Sequence, residues 1–105
     1  AIYQAVKNCR VVVCFSAGNL PVVAKDWAEA GKAKGLSVVA CDNDYQMSNN
    51  AGITFGKQAA EIIGCNAVYP QGINGTDYDD ALRDQSWGGV ARLRKDLLTA
   101  AKVVF

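Results

Sequence analysis

Apolar residues along the chain follow two patterns that alternate with each other. Short unbroken apolar runs rich in valine are typical of strands buried on both faces, whereas apolar residues three or four positions apart are typical of helices with one buried side. The strand pattern covers residues 10–15, 36–41 and 66–69, and the helical pattern covers residues 19–34, 51–63, 77–84 and 90–102. This alternation predicts parallel strands joined by helical crossovers, with helices on both faces of the sheet.

Local signals predict where the helices begin and end. Asn19 is expected to cap the first of these helices, and Gly35 and Gly64 are expected to end the first and the second. In the second helix, the spacing of Ile62 and Ile63 predicts that both face inward.

The length and composition are those of one globular domain. The chain has 105 residues, of which 50% are hydrophobic and 20% are charged, which is enough for a single core. Residues 1–105 are therefore expected to form one domain. Residues 1–8 look like the end of a helix and lack an initiator Met, which predicts that the domain is truncated at its N-terminus. Membrane association is not expected, because no apolar run is long enough to span a bilayer and no signal peptide is present.

Cysteine and histidine usage narrows the chemistry. The four cysteines are Cys9, Cys14, Cys41 and Cys65, and none belongs to a CxxC pair. Three of them adjoin apolar runs, which is typical of buried, reduced thiols in a cytoplasmic protein. Histidine is absent. Its absence excludes Ser-His-Asp and Cys-His catalysis and nearly every catalytic zinc site.

Charge is distributed unevenly, although the net charge is only +1. Most of the acidic residues lie between positions 42 and 84, and basic residues predominate on either side of that segment. An acidic centre with basic flanks fits a cation site beside a polyanion. Ordinary scatter of surface charge is the alternative interpretation.

Two aspartates at the end of the second predicted strand form the most informative pair. Ligands gather at the carboxyl ends of strands in open α/β sheets, and Asp42 and Asp44 lie there. In extended backbone, side chains two positions apart point to the same side, so these carboxylates would repel each other. A Mg²⁺ ion, which takes oxygen ligands, would relieve the repulsion. A solvated loop with two aspartates of no function is the alternative.

A second acidic group follows the third predicted strand. Asp77, Asp79 and Asp80 belong to the segment Gly-Thr-Asp-Tyr-Asp-Asp. Asp77 could be a helix N-cap, with Asp79 and Asp80 favourable in the first turn. That interpretation does not explain why both acidic groups fall at the same edge of the predicted sheet.

Four segments together resemble a known family. They are Val11–Leu20, Val38–Asp44 with its Asp-Asn-Asp triplet, Asn50–Gly52, and Gly75–Leu82. Their order and spacing over about residues 2–85 resemble the Toprim domain of plasmid and phage DNA primases. In that family an Asp-Asn-Asp triplet precedes an Asn-x-Gly helix start and a later Gly-Thr-Asp segment.

The resemblance implies a fold, a site and an activity. The fold is an α/β three-layer domain with a mostly parallel central sheet. Asp42 and Asp44 would be the catalytic pair that binds Mg²⁺ or Mn²⁺, and Asp77 and Asp79 would hold a second cation. The implied activity is metal-dependent nucleotidyl transfer that makes primers for DNA replication or for plasmid transfer in conjugation. The implied partners are single-stranded DNA template, nucleotides, the other domains of a parent primase and a helicase.

The chain departs from the family in one respect that matters for catalysis. The family's first strand, which ends in Glu-Gly, has no counterpart, because Glu29 and Glu61 both fall in helical patterns. Ser16 stands where many relatives carry an aspartate, so no metal role is assigned to it. The isolated 105 residues are therefore expected to fold without polymerising primers.

Several basic and aromatic residues have two interpretations. Lys57 could contact phosphate or be an exposed helix lysine, and Arg92, Arg94 and Lys95 could follow a template backbone or form the polar face of the last helix. Trp87 could stack on a base or pack against the sheet.

Two other classes of function remain open. A haloacid-dehalogenase-type phosphohydrolase also carries Asp-x-Asp at a strand end, but there the triplet ends the first strand and a small Thr or Val usually stands two residues on. Here another strand precedes the triplet, and Tyr45 and Gln46 follow it. A non-catalytic α/β interaction module is the second alternative.

Overall fold

The computed structural model describes residues 10, 12 and 17–105 of the chain. The helices are α1 (Asn19–Glu29), α2 (Ala51–Ile63), α3 (Tyr78–Arg83) and α4 (Gly89–Ala100), and the strands are β1 (Gly35–Ala40), β2 (Asn66–Val68) and β3 (Lys102–Val104). Most of the strand predicted over 10–15, the helix end predicted over 1–8, and Cys9, Cys14 and Ser16 lie outside the described residues. The described part is a small α/β domain.

The sheet of the described residues is mixed, with strand order β2-β1-β3. β1 and β2 are parallel, with Val39 opposite Ala67, and α2 connects them as the alternating pattern predicts. β1 and β3 are antiparallel, with Leu36 opposite Val103. The sequence predicts a mostly parallel sheet; among the described residues, the pairing of β1 with β2 is parallel and the pairing of β1 with β3 is antiparallel.

The antiparallel strand β3 begins at Lys102, where the sequence predicts the end of the last helix. The helical pattern predicts that the last helix continues to residue 102, but α4 ends at Ala100. Ala101 takes an extended conformation, with φ −64° and ψ 141°. The valines that follow it are β-branched and suit a strand, and pairing with β1 satisfies their backbone groups.

Helices cover both faces of the sheet, and alternate residues of β1 contact the two sides. Val38 and Ala40 pack on one cluster and Val39 belongs to the other. The first cluster comprises Tyr78, Ala81, Trp87, Leu93 and Leu97, and the second comprises Ala24, Val39, Ala59 and Ala60. Thus α3 and α4 lie on one face and α1 and α2 on the other, which gives three layers.

The first helix differs from its prediction at both ends. Its N-cap is Gly18, which provides no side-chain hydrogen bond, and Asn19 is already helical. The helix ends at Glu29 rather than near residue 34, because Gly31 takes a left-handed conformation with φ 71° and turns the chain.

The second helix has the predicted bounds. Asn50 caps its start, with Oδ1 accepting from the backbone N–H of Ile53 at 3.3 Å, and Gly64 ends it in a left-handed conformation with φ 91°. Ile63 is half-buried in the second cluster, but Ile62 is 42% exposed, so its predicted inward position is wrong.

Trp87 lies in the core, which confirms the packing interpretation of this residue. It is 3% exposed, its Nε1 donates to the Gln71 carbonyl at 3.2 Å, and its ring centroid is 6.0 Å from that of Tyr78. The Arg92 guanidinium stacks 4.7 Å from the Trp87 ring centroid, while its Nη1 donates to the Trp87 carbonyl at 2.9 Å. These contacts fix α4 against the loop that precedes it.

The Tyr78 hydroxyl is expected to cost stability. Tyr78 is 6% exposed, and its hydroxyl has no hydrogen-bond partner among the described residues. Because a buried unpaired polar group pays its desolvation without compensation, Tyr78→Phe should stabilise the domain by about 1 kcal/mol. Urea unfolding measures this gain as a higher midpoint concentration, with the dependence of the unfolding free energy on urea concentration unchanged. A loss of stability in the Phe variant would contradict the expectation.

Candidate metal centre

The candidate site lies where the parallel strands β1 and β2 end. Pairing continues one residue beyond β1, because the Cys41 backbone N–H donates to the Val68 carbonyl at 2.9 Å. Cys41 is a buried free thiol, and burial, followed by the nearby Asp42 and Asp44 charges, raises its pKa to about 12. It therefore stays protonated and packs as an apolar residue, with Asp42 emerging at the sheet edge immediately after it.

Asn43 joins the loop after β1 to the loops that follow β2. Its backbone N–H donates to the Thr76 carbonyl at 2.7 Å, and its Nδ2 donates to the Pro70 carbonyl at 3.0 Å. The first of these bonds brings the segment of Asp42 and Asp44 against the segment of Asp77. The two acidic groups that the sequence separates by more than thirty positions thus share one edge.

The pKa of Asp42 depends on its burial and on the other aspartates at this edge. Partial burial raises the pKa of Asp42 above its ordinary value, and the charges of three further aspartates add to this effect. In decreasing order of effect they are Asp77, Asp44 and Asp80. We call these residues together with Asp42 the acidic edge. The Asp42 side chain remains exposed, so a cation can reach it from solvent.

Asp44 is held by the start of α2. Its Oδ2 accepts from the Gly52 backbone N–H at 2.8 Å, and its own backbone N–H donates to Asn50 Oδ1 at 2.8 Å. Asn50 Nδ2 in turn donates to Asn43 Oδ1 at 2.9 Å. These bonds fix the position of the Asp44 carboxylate before any ligand binds, which lowers the cost of assembling a site.

Gly52 permits this close approach. A Cβ atom at this position would clash with the Asp42 carbonyl oxygen and lie 2.8 Å from Asp44 Oδ2. From the sequence, Asn50 and Gly52 are only part of a motif, and no role follows for either. The signal that could have found them is a capping asparagine followed two positions later by a glycine in a helix, where glycine is otherwise unfavourable.

Asp77 and Asp80 form a capping box at the start of α3. Asp77 Oδ1 accepts from the Asp80 backbone N–H at 2.7 Å. Asp80 Oδ2 accepts from the backbone N–H groups of Thr76 at 2.9 Å and of Asp77 at 3.4 Å, and these bonds lower the pKa of Asp80. The N-cap interpretation of Asp77 is therefore confirmed, and each of these aspartates has one carboxylate oxygen engaged by the backbone.

Asp79 occupies a different place from Asp77. It is exposed in the first turn of α3, where its backbone carbonyl accepts from Arg83 Nε at 3.2 Å. The charges that raise the pKa of Asp42 include that of Asp80, for which the sequence predicts only a place in the first turn of a helix. The part of Asp79 in a second cation site stays a prediction.

The donor atoms at the acidic edge suit a hard cation. Within the described ranges, no three His, Cys, Asp or Glu side chains converge closely enough to form a complete metal site. Mg²⁺ commonly takes only one or two carboxylates and completes its shell with water and substrate phosphates. Asp42 and Asp44 provide that number, and the repulsion among the carboxylates of the acidic edge would be relieved by a positive charge.

A shallow cleft of about 210 Å³ adjoins the acidic edge. Its lining comes from the two loops that Asn43 joins, namely Asn43, Tyr45, Pro70, Gly72, Ile73 and Gly75. Tyr45 is 47% exposed, so the cleft has an aromatic side chain open to solvent beside the carboxylates.

The four basic residues that have two interpretations lie on helices α2 and α4. Lys57 is exposed on α2, and Arg94 and Lys95 are exposed on α4. Arg92, also on α4, is engaged with Trp87 and lies 4.0 Å from the Asp96 carboxylate. Contacts of the exposed residues with phosphate stay predictions.

Two substitutions at Asp77 separate the contribution of its cap to stability from the contribution of its charge. Asparagine caps helices as well as aspartate does, so Asp77→Asn should leave the unfolding free energy within about 0.5 kcal/mol of wild type. Asp77→Ala loses the cap and should cost about 1 kcal/mol. Urea unfolding of both variants checks this. Equal destabilisation by the two substitutions would show that the charge of Asp77, rather than its cap, supports the fold.

Comparison of the chain with protein-family models, curated proteins and solved structures found no match. None of the four helices in the described part is both long and apolar enough to cross a membrane.

Proposed function

We propose that this chain is part of the catalytic domain of a Toprim-type DNA primase, and that Asp42 and Asp44 hold Mg²⁺ or Mn²⁺ for nucleotidyl transfer. The observation that carries the proposal is the 2.7 Å hydrogen bond from the Asn43 backbone to the Thr76 carbonyl, which joins the Asp-Asn-Asp triplet to the Gly-Thr-Asp segment. Two of the motifs that carry the resemblance, Asp-Asn-Asp and Gly-Thr-Asp, thus meet at one sheet edge. The three layers of the domain are compatible with the implied fold.

The chain's own residues would prepare the reaction by positioning. The hydrogen bonds of Asp44 with Asn50 and Gly52 fix one carboxylate, while Asp42 stays open to solvent. A bound cation would lower the pKa of an attacking primer 3′-hydroxyl and neutralise charge as pyrophosphate leaves. In this proposal, the cleft beside Tyr45 would take the sugar or base of a nucleotide whose phosphates reach the acidic edge.

The isolated 105 residues are proposed to bind the cation without making primers. Glu29 and Glu61 are exposed on α1 and α2, and neither stands at the end of a described strand. Loss of a general base typically costs about 10²–10⁴ in rate. Primer synthesis by this chain alone, abolished by Asp42→Ala, would contradict this part of the proposal.

Calorimetric titration with Mn²⁺ tests the proposal on the chain as it exists. Asp42→Asn should weaken Mn²⁺ binding about tenfold or more, since a charged ligand is replaced by a neutral one of the same shape. Asp26→Asn on α1 is the matched control, because it removes the same charge from an exposed helix position. Equal affinity in wild type and Asp42→Asn would overturn the metal assignment.

The same variant has a stability readout without metal. Because the pKa of Asp42 is raised in the folded state, the folded protein binds more protons than the unfolded chain between the two pKa values, and stability falls as pH rises through that window. Asp42→Asn should therefore be more stable than wild type at neutral pH, by under about 1 kcal/mol given solvent screening. The gain should vanish below the ordinary aspartate pKa. Equal stability at every pH would contradict the raised pKa of Asp42.

The capping box favours a second candidate, a non-catalytic α/β interaction module. Asp77 and Asp80 are explained by the start of α3 without any ligand. This module predicts no Mn²⁺ binding in wild type, in Asp42→Asn or in Asp26→Asn, whereas the metal proposal predicts binding in wild type and in Asp26→Asn. Phosphate release from an aryl phosphate that depends on Asp42 would instead favour the phosphohydrolase.

A further inference from the structure

We propose that Asn74 is a site of spontaneous deamidation, in which the backbone nitrogen of Gly75 attacks the Asn74 side chain and converts it to aspartate or isoaspartate. Asn74 is exposed in the loop between β2 and α3. Its side chain makes no hydrogen bond within the described part of the chain, in contrast to those of Asn43 and Asn50, which are tied to each other. The inference concerns the covalent chemistry of the loop and does not depend on the proposed function.

The structure explains why a glycine must follow Asn74. A Cβ atom at Gly75 would lie 2.5 Å from Asp80 Cβ and 2.7 Å from Asp80 Cγ. Asp80 cannot move away freely, because its carboxylate accepts the capping-box hydrogen bonds. Position 75 therefore excludes side chains, and the absence of a side chain leaves the attacking nitrogen unhindered.

The reaction needs only water and a base from solvent. The Gly75 backbone nitrogen loses its proton and forms a bond to Asn74 Cγ, while the bond from Cγ to Nδ2 breaks and the nitrogen leaves as ammonia. Water then opens the cyclic imide at either carbonyl. Opening at one carbonyl gives aspartate, and opening at the other gives isoaspartate, with no oxidation or reduction. Because the nitrogen must be deprotonated, the rate should rise with pH.

The product would alter the acidic edge. It adds a negative charge two residues from Thr76, whose carbonyl accepts the hydrogen bond from Asn43. Isoaspartate also inserts a methylene group into the main chain between positions 74 and 75. The bond between Thr76 and Asn43 and the register of the capping box would both be disturbed by this insertion.

Peptide mass spectrometry of the folded chain, incubated at mildly alkaline pH, tests the proposal. Asn66 is the internal control, because Ala67 follows it and its Nδ2 donates to the Ala100 carbonyl at 2.9 Å. Conversion at Asn74 should be about tenfold faster than at Asn66, since no Cβ hinders ring closure at Gly75. Asn74→Gln should abolish the faster conversion.

Two results would overturn the proposal. One is equal conversion at Asn74 and Asn66 in the folded chain. The other is conversion at Asn74 only when urea has unfolded the protein, which would mean that the folded loop prevents ring closure. Detection of isoaspartate at position 74 would support the cyclic imide over direct hydrolysis, which yields aspartate alone.

Discussion

Replacing Gly52 by alanine is expected to destabilise the domain by about 2 kcal/mol, in the range of substitutions that overpack a close contact. The added methyl group would clash with the Asp42 carbonyl oxygen and lie 2.8 Å from Asp44 Oδ2. The contact is with backbone and with a hydrogen-bonded carboxylate, so no flexible side chain can move away. Urea unfolding measures the loss.

The same substitution should affect the candidate site. The start of α2 must shift to accommodate the methyl group, and the bond from the Gly52 N–H to Asp44 Oδ2 would lengthen. We therefore expect Mn²⁺ binding to weaken together with stability if Asp44 is a ligand. Tight binding in a clearly destabilised Gly52→Ala protein would contradict the role of Asp44.

Gly18→Ala is the matched control for this prediction. Gly18 has φ −62°, which any residue adopts, and a Cβ atom there meets nothing within 4 Å. Alanine at position 18 should lower the unfolding free energy by less than about 1 kcal/mol, because Gly18 is the N-cap of α1 and alanine is a poorer N-cap than glycine. A similar loss in both variants would show that the conformational preference of glycine, rather than contact with Asp42 and Asp44, decides the result.

Helix α2 shows how far local pattern determines this fold. Its apolar period, its capping Asn50 and the terminating Gly64 agree with one another, and its observed bounds are those predicted. Helix α1 shows the limit of the same reasoning, because the apolar pattern continues past Gly31 while the chain turns there. Gly31 can continue a helix or take the left-handed conformation that ends it, and the sequence alone does not determine which of the two the tertiary structure selects.

Strand β3 could not be predicted from its own residues. Its three residues are too short a pattern to separate from the end of a helix, and pairing with β1 gives them their identity. The candidate site likewise has one part that local sequence predicts and one part that only the tertiary structure shows. The sequence predicts Asp42 and Asp44 as site residues because the end of a strand is a local feature. It does not predict the hydrogen bond from Asn43 to Thr76, because that bond joins loops far apart in sequence.

Leu93→Ala is expected to cause the largest loss of stability among these substitutions, about 2–5 kcal/mol for a buried leucine that leaves a cavity. Leu93 is 0% exposed on α4, in the cluster that also contains Trp87 and Leu97. Val38 and Ala40 of β1 pack on this cluster, so a cavity here would loosen the strand that leads to Asp42. Against a total stability of about 5–15 kcal/mol for a domain, the variant could be partly unfolded at room temperature.

Leu98→Ala on the same helix separates burial from helix propensity. Leu98 is 42% exposed, and the substitution changes intrinsic helix propensity by the same amount as at Leu93. It should therefore cost less than about 1 kcal/mol, because little apolar surface leaves a packed environment. Urea midpoints of both variants measure the difference. If the two substitutions cost the same, α4 does not pack on the sheet through Leu93, and the face of the domain formed by α3 and α4 would have to be assigned differently.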